Sequence, residues 1–343
     1  MKSLKIGKQT IRFLSAPSLV AAASVVGPKE GRGPLSQHYD IILDDPINHT
    51  ESYEMAEHTM LLQACKHCLT KANMQEEQID LILGGDLLNQ ILSTTLTARE
   101  LQRPFIGLYG ACSTMAESLL MGSICVDGGY AENALCAVSS HYCTAERQFR
   151  YPLEYGNQRT PAAQWTVTGA GAFLISHTQH SSVCIPCGTI GKVMDYQIKD
   201  ANNMGAAMAP AAADTLAAHF QDTGRTPKDY DHIFSGDLGK VGSDLLKNLM
   251  KQKGYALIED NYTDCGLMVF DPKDDVHAGA SGCGCSAVVL SAYILDKIRI
   301  GAWKRVLFMA TGALMSTTSS QQGESIPGIA HAIVLEHRED GMK

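Results

Sequence analysis

The chain says nearly the same thing twice, and that repetition constrains its fold more than any other feature. Ile79-Asp80-Leu81-Ile82-Leu83-Gly84-Gly85-Asp86-Leu87 is echoed by Tyr230-Asp231-His232-Ile233-Phe234-Ser235-Gly236-Asp237-Leu238. Each copy follows an apolar helical run and a short polar break, and each reads as a buried strand ending at Gly-Asp-Leu. A second echo lies downstream. Ala111-Cys112-Ser113 and Gly284-Cys285-Ser286 each open an apolar helical stretch, and the step from Cys112 to Gly128 equals that from Cys285 to Gly301. Both copies close on an apolar strand, Gly169–Ile175 and Gly328–Leu335. Units this long are domain-sized and exceed the periods of solenoid repeats. They divide the chain into 1–180 and 181–343. A duplicated α/β chain places its cleft where the halves meet.

Bulk properties narrow the function. The 343 residues are 45% hydrophobic and 19% charged, the make-up of a compact soluble protein. A net charge of −8 with no basic block argues against nucleic acid and against passive adhesion to an anionic membrane. Eleven cysteines spread through apolar runs read as free thiols in a reducing compartment. The apolar run Ser18–Val26 is too short to span a bilayer. Because Lys5–Phe13 before it alternates like a strand, it is not read as a secretion signal.

Helices are expected near Glu51–Ala72, where Leu61, Cys65, Cys68 and Ala72 share a face, over Ser113–Cys125, and over the Ala-rich Ala206–Phe220. Phe105–Tyr109 is a short strand after Pro104, and Val183–Tyr196 a strand or hairpin. Tyr142–Gln164 reads as a long irregular segment, of the kind that tends to be functional. Helices between buried strands imply mainly parallel sheets with helices on both faces. Cys65 and Cys68 face one apolar stripe and read as core rather than as zinc ligands, which would have to number four.

Tyr109-Gly110-Ala111-Cys112-Ser113-Thr114 places a cysteine at a strand-to-helix turn. Free N–H groups of a helix N-terminus lower a thiol's pKa and stabilise an oxyanion. Ser139 and His141 follow the next strand, at the end where α/β ligands usually lie. Lys240, just beyond the Ser235 turn, is placed to act as an anion partner. Gly169-Ala170-Gly171 leads into no helix and is close backbone packing rather than a phosphate loop.

The duplicated halves, the Ala111-Cys112-Ser113 turn and the Gly279-Ala280-Ser281-Gly282 turn resemble the thiolase superfamily, including its ketoacyl synthase III branch. Ala22–Gly31, Gly84–Leu87, Tyr109–Thr114 and His277–Gly284 carry the likeness further, to a sporulation branch of that superfamily. The resemblance implies a thiolase-like α/β fold: two pseudo-symmetric βαβαβαββ halves in five layers, paired as a homodimer through the edge of the first-half sheet.

A condensing enzyme of the synthase III type surrounds one substrate carbonyl with Cys, His and Asn. Laid on this chain, the His position becomes Ser235 and the Asn position Cys283. A thiolase's His would fall on Val276, one short of His277, and its second cysteine is replaced by Ala310-Thr311-Gly312-Ala313. Cys112 survives as a nucleophile position without its partners. The resemblance therefore implies a binding protein rather than a catalyst, with Cys112, Ser139, His141, Ser235, Lys240, Ser281 and Cys283 as candidate ligand contacts and no metal or cofactor. The implied ligand is dipicolinic acid (pyridine-2,6-dicarboxylate), free or as its calcium chelate, carried into the developing spore. The implied partners are membrane-embedded sporulation channel proteins, which would hold the chain at the forespore inner membrane. The competing reading is an acyl-CoA or acyl-carrier condensing enzyme using Cys112, with Arg147, Arg150 and Arg159 as a rim for coenzyme A phosphates.

Overall fold

The computed structural model describes residues 4–149 and 159–339. The chain opens with β1 (Lys5–Ile6) and β2 (Thr10–Arg12), a hairpin turned at Gly7 with φ 62°. The buried strand β3 (Ser18–Val26) and the short β4 (Ile41–Ile42) follow. Then come α1 (Tyr53–Lys71), β5 (Leu81–Gly85), α2 (Leu92–Leu101), β6 (Phe105–Gly107), α3 (Thr114–Asp127) and β7 (Asn133–Ser140). The first half ends with α4 (Tyr142–Phe149), β8 (Trp165–Thr166) and β9 (Gly169–Ser176).

The second half runs β10 (Val183–Thr189), α5 (Met204–Thr223), β11 (His232–Ser235), α6 (Gly239–Gln252), β12 (Tyr262–Asp264) and β13 (Ala280–Ser281). After these, α7 (Cys283–Val289), a π-helical turn (Leu290–Ile294) and α8 (Leu295–Arg299) form one continuous helix. The chain finishes with β14 (Arg305–Ala313), α9 (Thr317–Gln321) and β15 (Gly328–His337).

The two halves repeat one strand order. Outward from the centre the first reads β3-β9-β7-β5-β6 and the second β10-β15-β14-β11-β12. They meet where β3 and β10 pair through Ser18 and Cys184. The sheets are mixed, not mainly parallel as the helix–strand alternation suggests: β9 and β15 run antiparallel to both neighbours. β9 enters the sheet at the end where β7 left it, and β15 where β14 left it, so no crossover is needed.

Five layers result. Helix α1 packs on the outer face of β3, β7 and β9, and α5 on that of β14 and β15, with α2 and α6 beside them. Between the sheets lie α3, which touches β5, β7 and β9 on one side and β14 and β15 on the other, and α7, which packs against α3, β3, β7 and β9. Burial explains why these segments are helices with small apolar faces. On α1, Leu61, Cys65 and Cys68 are buried as their spacing predicts, and they pack with Leu135 and Leu174 of the sheet. Each fully buried aliphatic side chain of this kind contributes roughly 1.5–3 kcal/mol.

The stretch read as an irregular Tyr142–Gln164 segment begins as a helix, α4. Thr144, Ala145 and Glu146 form its buried side, a short amphipathic pattern that the surrounding Gly, Pro and aromatic residues obscure. Arg150 lies outside the described residues.

Candidate functional site: a cavity at the Cys112 turn

Strand β6 delivers the chain to Gly110, and Ala111 then takes a positive φ of 51°, which sets Cys112 in a tight turn ahead of α3. Such a φ is uncommon outside glycine and costs backbone energy. The turn is held from behind by β14: a Cβ on Gly312 would stand 2.3 Å from the Gly110 carbonyl oxygen. Opposite, the two-stranded parallel pair β8–β13 sets Thr166 beside Ser281.

These elements enclose a cavity of about 340 Å³. Its walls are Leu87 and Asn89 beyond β5, Tyr109, Ala111 and Cys112 before α3, and Ala145, Glu146, Gln148 and Phe149 of α4. Thr166, Ser281, Met204 and residues 313–318 between β14 and α9 complete it. Most of that surface is apolar. No imidazole, lysine or arginine stands among the described lining residues.

Asp237 is the hub behind this wall. Its Oδ2 accepts from Ser281 Oγ (2.9 Å) and Gly282 N–H (3.0 Å), and its Oδ1 accepts from Thr311 Oγ1 (2.8 Å). The Cys112 thiol lies within hydrogen-bonding reach of the same carboxyl and 4.0 Å from Ser281 Oγ. Burial raises the Asp237 pKa, and these donors only partly offset it. Burial also pushes the Cys112 thiol well up, with Asp237 and Cys283 adding to the effect. Both effects run against the lowering expected from the turn alone.

Of the seven candidate contacts, the structure brings Cys112 and Ser281 together in the wall. The other five stand elsewhere. Ser235 is fully buried, bonded to Tyr262 Oη at 2.7 Å and donating to Asp264 Oδ2 at 2.6 Å, so it does not face Cys112 across the cleft. Lys240 is exposed on the first turn of α6. Ser139 donates to the buried Glu57 (3.0 Å), and Cys283 donates to the Ser139 carbonyl at 2.8 Å, one layer behind the cavity. His141 lies within 2.8 Å of the Pro46 carbonyl through Nε2, and its Nδ1 accepts from Cys143 N–H, so it is a satisfied structural residue.

Nor do the two described arginines of the proposed phosphate rim gather there. Arg147 pairs with Glu54, and Arg159 donates to the Asp275 carbonyl and lies 4.8 Å over Trp165. His277 pairs with Asp275 at 2.9 Å, away from the cavity. The residues that sequence reasoning passed over are Asp237, Glu146, Thr166 and Thr311. Only Asp237 carried a signal, as the acid of the repeated Gly-Asp-Leu.

Comparison with known proteins agrees with this fold. Over residues 7–336 the chain matches the family model of stage V sporulation protein AD. It is 47% identical over 330 residues to the stage V sporulation protein AD of Bacillus subtilis (strain 168), covering 96% of this chain and 97% of that one. Among solved structures it resembles the 3-oxoacyl-(acyl-carrier-protein) synthase III of Aquifex aeolicus, with a TM-score of 0.57 at 13% identity over 94% of this chain and 100% of that one. It also resembles OleA of Xanthomonas campestris, with a TM-score of 0.59 at 14% identity over 97% and 99%. At that identity the two enzymes establish the thiolase-like fold and nothing about chemistry. The chain belongs to the stage V sporulation protein AD family, a sporulation family built on that fold.

Proposed function

We propose that this protein binds dipicolinic acid, free or as its calcium chelate, without catalysing a reaction, and serves its passage into the developing spore. The observation that carries the reading is the cavity at Cys112. It keeps the geometry of a nucleophile turn, yet burial pushes its thiol well up and no imidazole stands among the described lining residues. A volume near 340 Å³ sits at the small end of ligand pockets and suits one ring compound. Leu87, Phe149, Met204 and Met315 supply apolar surface for the faces of a pyridine ring, and Thr166, Ser281, Ser316 and Thr317 supply polar groups for its edges.

No described helix is long and apolar enough to cross a membrane. Residence at the spore inner membrane would then come through membrane-embedded channel partners. Pairing into a homodimer has a ready surface in β6, whose free edge carries the exposed Ile106 next to the exposed Tyr109.

Titration calorimetry with dipicolinic acid, beside acetyl-CoA and malonyl-CoA, tests the reading. The pyridine dicarboxylate should bind, and neither thioester should acylate Cys112 and turn over. Cys112→Leu should fill the cavity and abolish binding while thermal unfolding stays cooperative. Unchanged affinity in the folded variant places the ligand elsewhere, and turnover of a thioester restores the enzyme reading.

A further inference from the structure

The hydrogen bonds around Asp237 give the cavity wall a definite polarity. Ser281 has one hydroxyl hydrogen, and it goes to Asp237 Oδ2. Thr311 gives its own to Oδ1, and Gly282 N–H takes a second place on Oδ2. Because the Ser281 hydrogen is committed, the Cys112 thiol, 4.0 Å from Ser281 Oγ, is the donor of their contact. While Asp237 is ionised, both polar groups that it holds in the wall turn lone pairs toward the ligand. A wall of acceptors repels a carboxylate.

A proton on Oδ2 reverses the bond: the acid then donates to Ser281 Oγ, and the serine hydroxyl is released to donate into the cavity. We propose that Asp237 sets the hydrogen-bond polarity of this cavity, and that a carboxylate ligand binds together with one proton taken up by Asp237. The inference rests on the reading of the cavity as a dicarboxylate site. It makes Asp237 a positioning residue that acts through Ser281 and Cys112.

The surroundings of Asp237 favour the protonated form. The titratable groups that face it are Cys112 at the α3 turn, Cys283 and Cys285 of α7, and Asp264 and Cys265 at the end of β12. None of them is a cation, and full burial raises the carboxyl as well. The balance is simple: ligand dianion, solvent proton and ionised protein give ligand dianion bound to protonated protein, with no bond broken in the ligand.

Calorimetry with dipicolinic acid between pH 6 and 9, repeated in two buffers of different ionisation enthalpy, reads the proton directly. Above pH 6 ordinary carboxyl groups are ionised, so the ligand's own charge is constant across the range. Wild-type affinity should fall with rising pH, approaching about tenfold per unit at the alkaline end, with uptake approaching one proton per ligand.

Asp237→Asn removes the titrating group, so its affinity should not change between pH 6 and 9 and its binding should show no proton uptake. Ser281→Ala should bind more weakly and still show the pH slope of wild type at reduced affinity. Binding by wild type with no proton uptake and no pH slope overturns the inference and leaves the dipicolinate reading standing. So does a pH slope or proton uptake that persists in Asp237→Asn. Absence of any binding by wild type instead removes the reading on which the inference rests.

Discussion

The two halves carry an aspartate at the same place, and they spend it differently. In the first half Asp86 follows β5 and serves its own half: it accepts from Leu88 N–H and from the Thr94 N–H and hydroxyl, all at 2.8 Å, and so ties down the start of α2. In the second half Asp237 follows β11 and makes no such bond to α6. That task falls to Asp264, which accepts from Leu238 N–H (2.9 Å) and Gly239 N–H (2.8 Å) at the start of that helix. Strand registers show where the second acid stands. Ser235 pairs with Asp264 as Gly84 pairs with Gly107, so the second half has placed a serine and an acid where the first has two glycines. With its helix capped by another residue, Asp237 can turn to β14, to Ser281 and to the Cys112 turn. The two halves share one scaffold, and the carboxyl of Asp264 at the helix start leaves that of Asp237 to the site.

The largest effect that can break this comparison is on stability. Asp264→Ala should strand the buried N–H groups of Leu238, Gly239 and Gly266, leave the Ser235 hydroxyl with Tyr262 Oη alone, and cost roughly 4 kcal/mol. Asp86→Ala strands three donors and should cost less, about 2–3 kcal/mol. Denaturant unfolding of both variants checks the order. A greater loss from Asp86→Ala would mean that Asp264 is not the helix cap of its half.

A smaller effect separates the buried acids of the two halves by pH. Burial raises Glu30 in the first half and Asp264 in the second to about 7. A carboxyl raised in the folded state stabilises fully below its unfolded pKa and loses that contribution as pH climbs through the folded value. For Glu30 the window runs from about 4.5 to about 7. Glu30→Gln should therefore gain on wild type by about 2 kcal/mol between pH 5 and 8, with the Asp264 share left in both proteins. Measuring the difference between the two proteins removes the buried histidines, His219, His232 and His331, whose lowered pKa values work in the opposite direction. A gap that stays constant from pH 5 to 8 would show Glu30 to be ionised throughout.

The smallest effect concerns the thiol itself. Cys112→Ser keeps one hydrogen for Asp237 and similar bulk, so stability should change by less than about 1 kcal/mol. Iodoacetamide should modify wild-type Cys112 more slowly than a free thiol at pH 7.5, because burial and Asp237 hold it protonated. Rapid alkylation, followed by mass spectrometry of the labelled peptide, would show the thiolate to be accessible and the first-half turn to be more active than its geometry suggests.

The fold was legible because its signals are local and doubled. Strand ends at Gly-Asp-Leu, turns at Cys112 and Cys285, and the α1 stripe all repeat a short-range pattern that packing then honours. The site was half legible. Cys112 and Ser281 lie in motifs, whereas the Ser235 and Cys283 positions rest on analogy with catalytic groups whose surroundings differ from those in this chain. Ser235 turned away because Asp264 and Tyr262, distant in sequence, offered it closed hydrogen bonds. Glu146 and Thr166 were invisible because their place depends on how α4 and the β8–β13 pair fold over the turn, and no spacing encodes that.

The helix between the sheets has a consequence for how the chain is made. On α3, Met115, Ala116, Leu119 and Leu120 are buried, and the helix touches β7 of one half and β14 and β15 of the other. Emerging from the ribosome, it has half of its shelter until residues some two hundred positions later have been translated. Up to that moment an apolar surface waits uncovered, which is the condition under which nascent chains aggregate or recruit chaperones. Expression of residues 1–180 alone should accordingly give insoluble protein, and co-expression with 181–343 should rescue it.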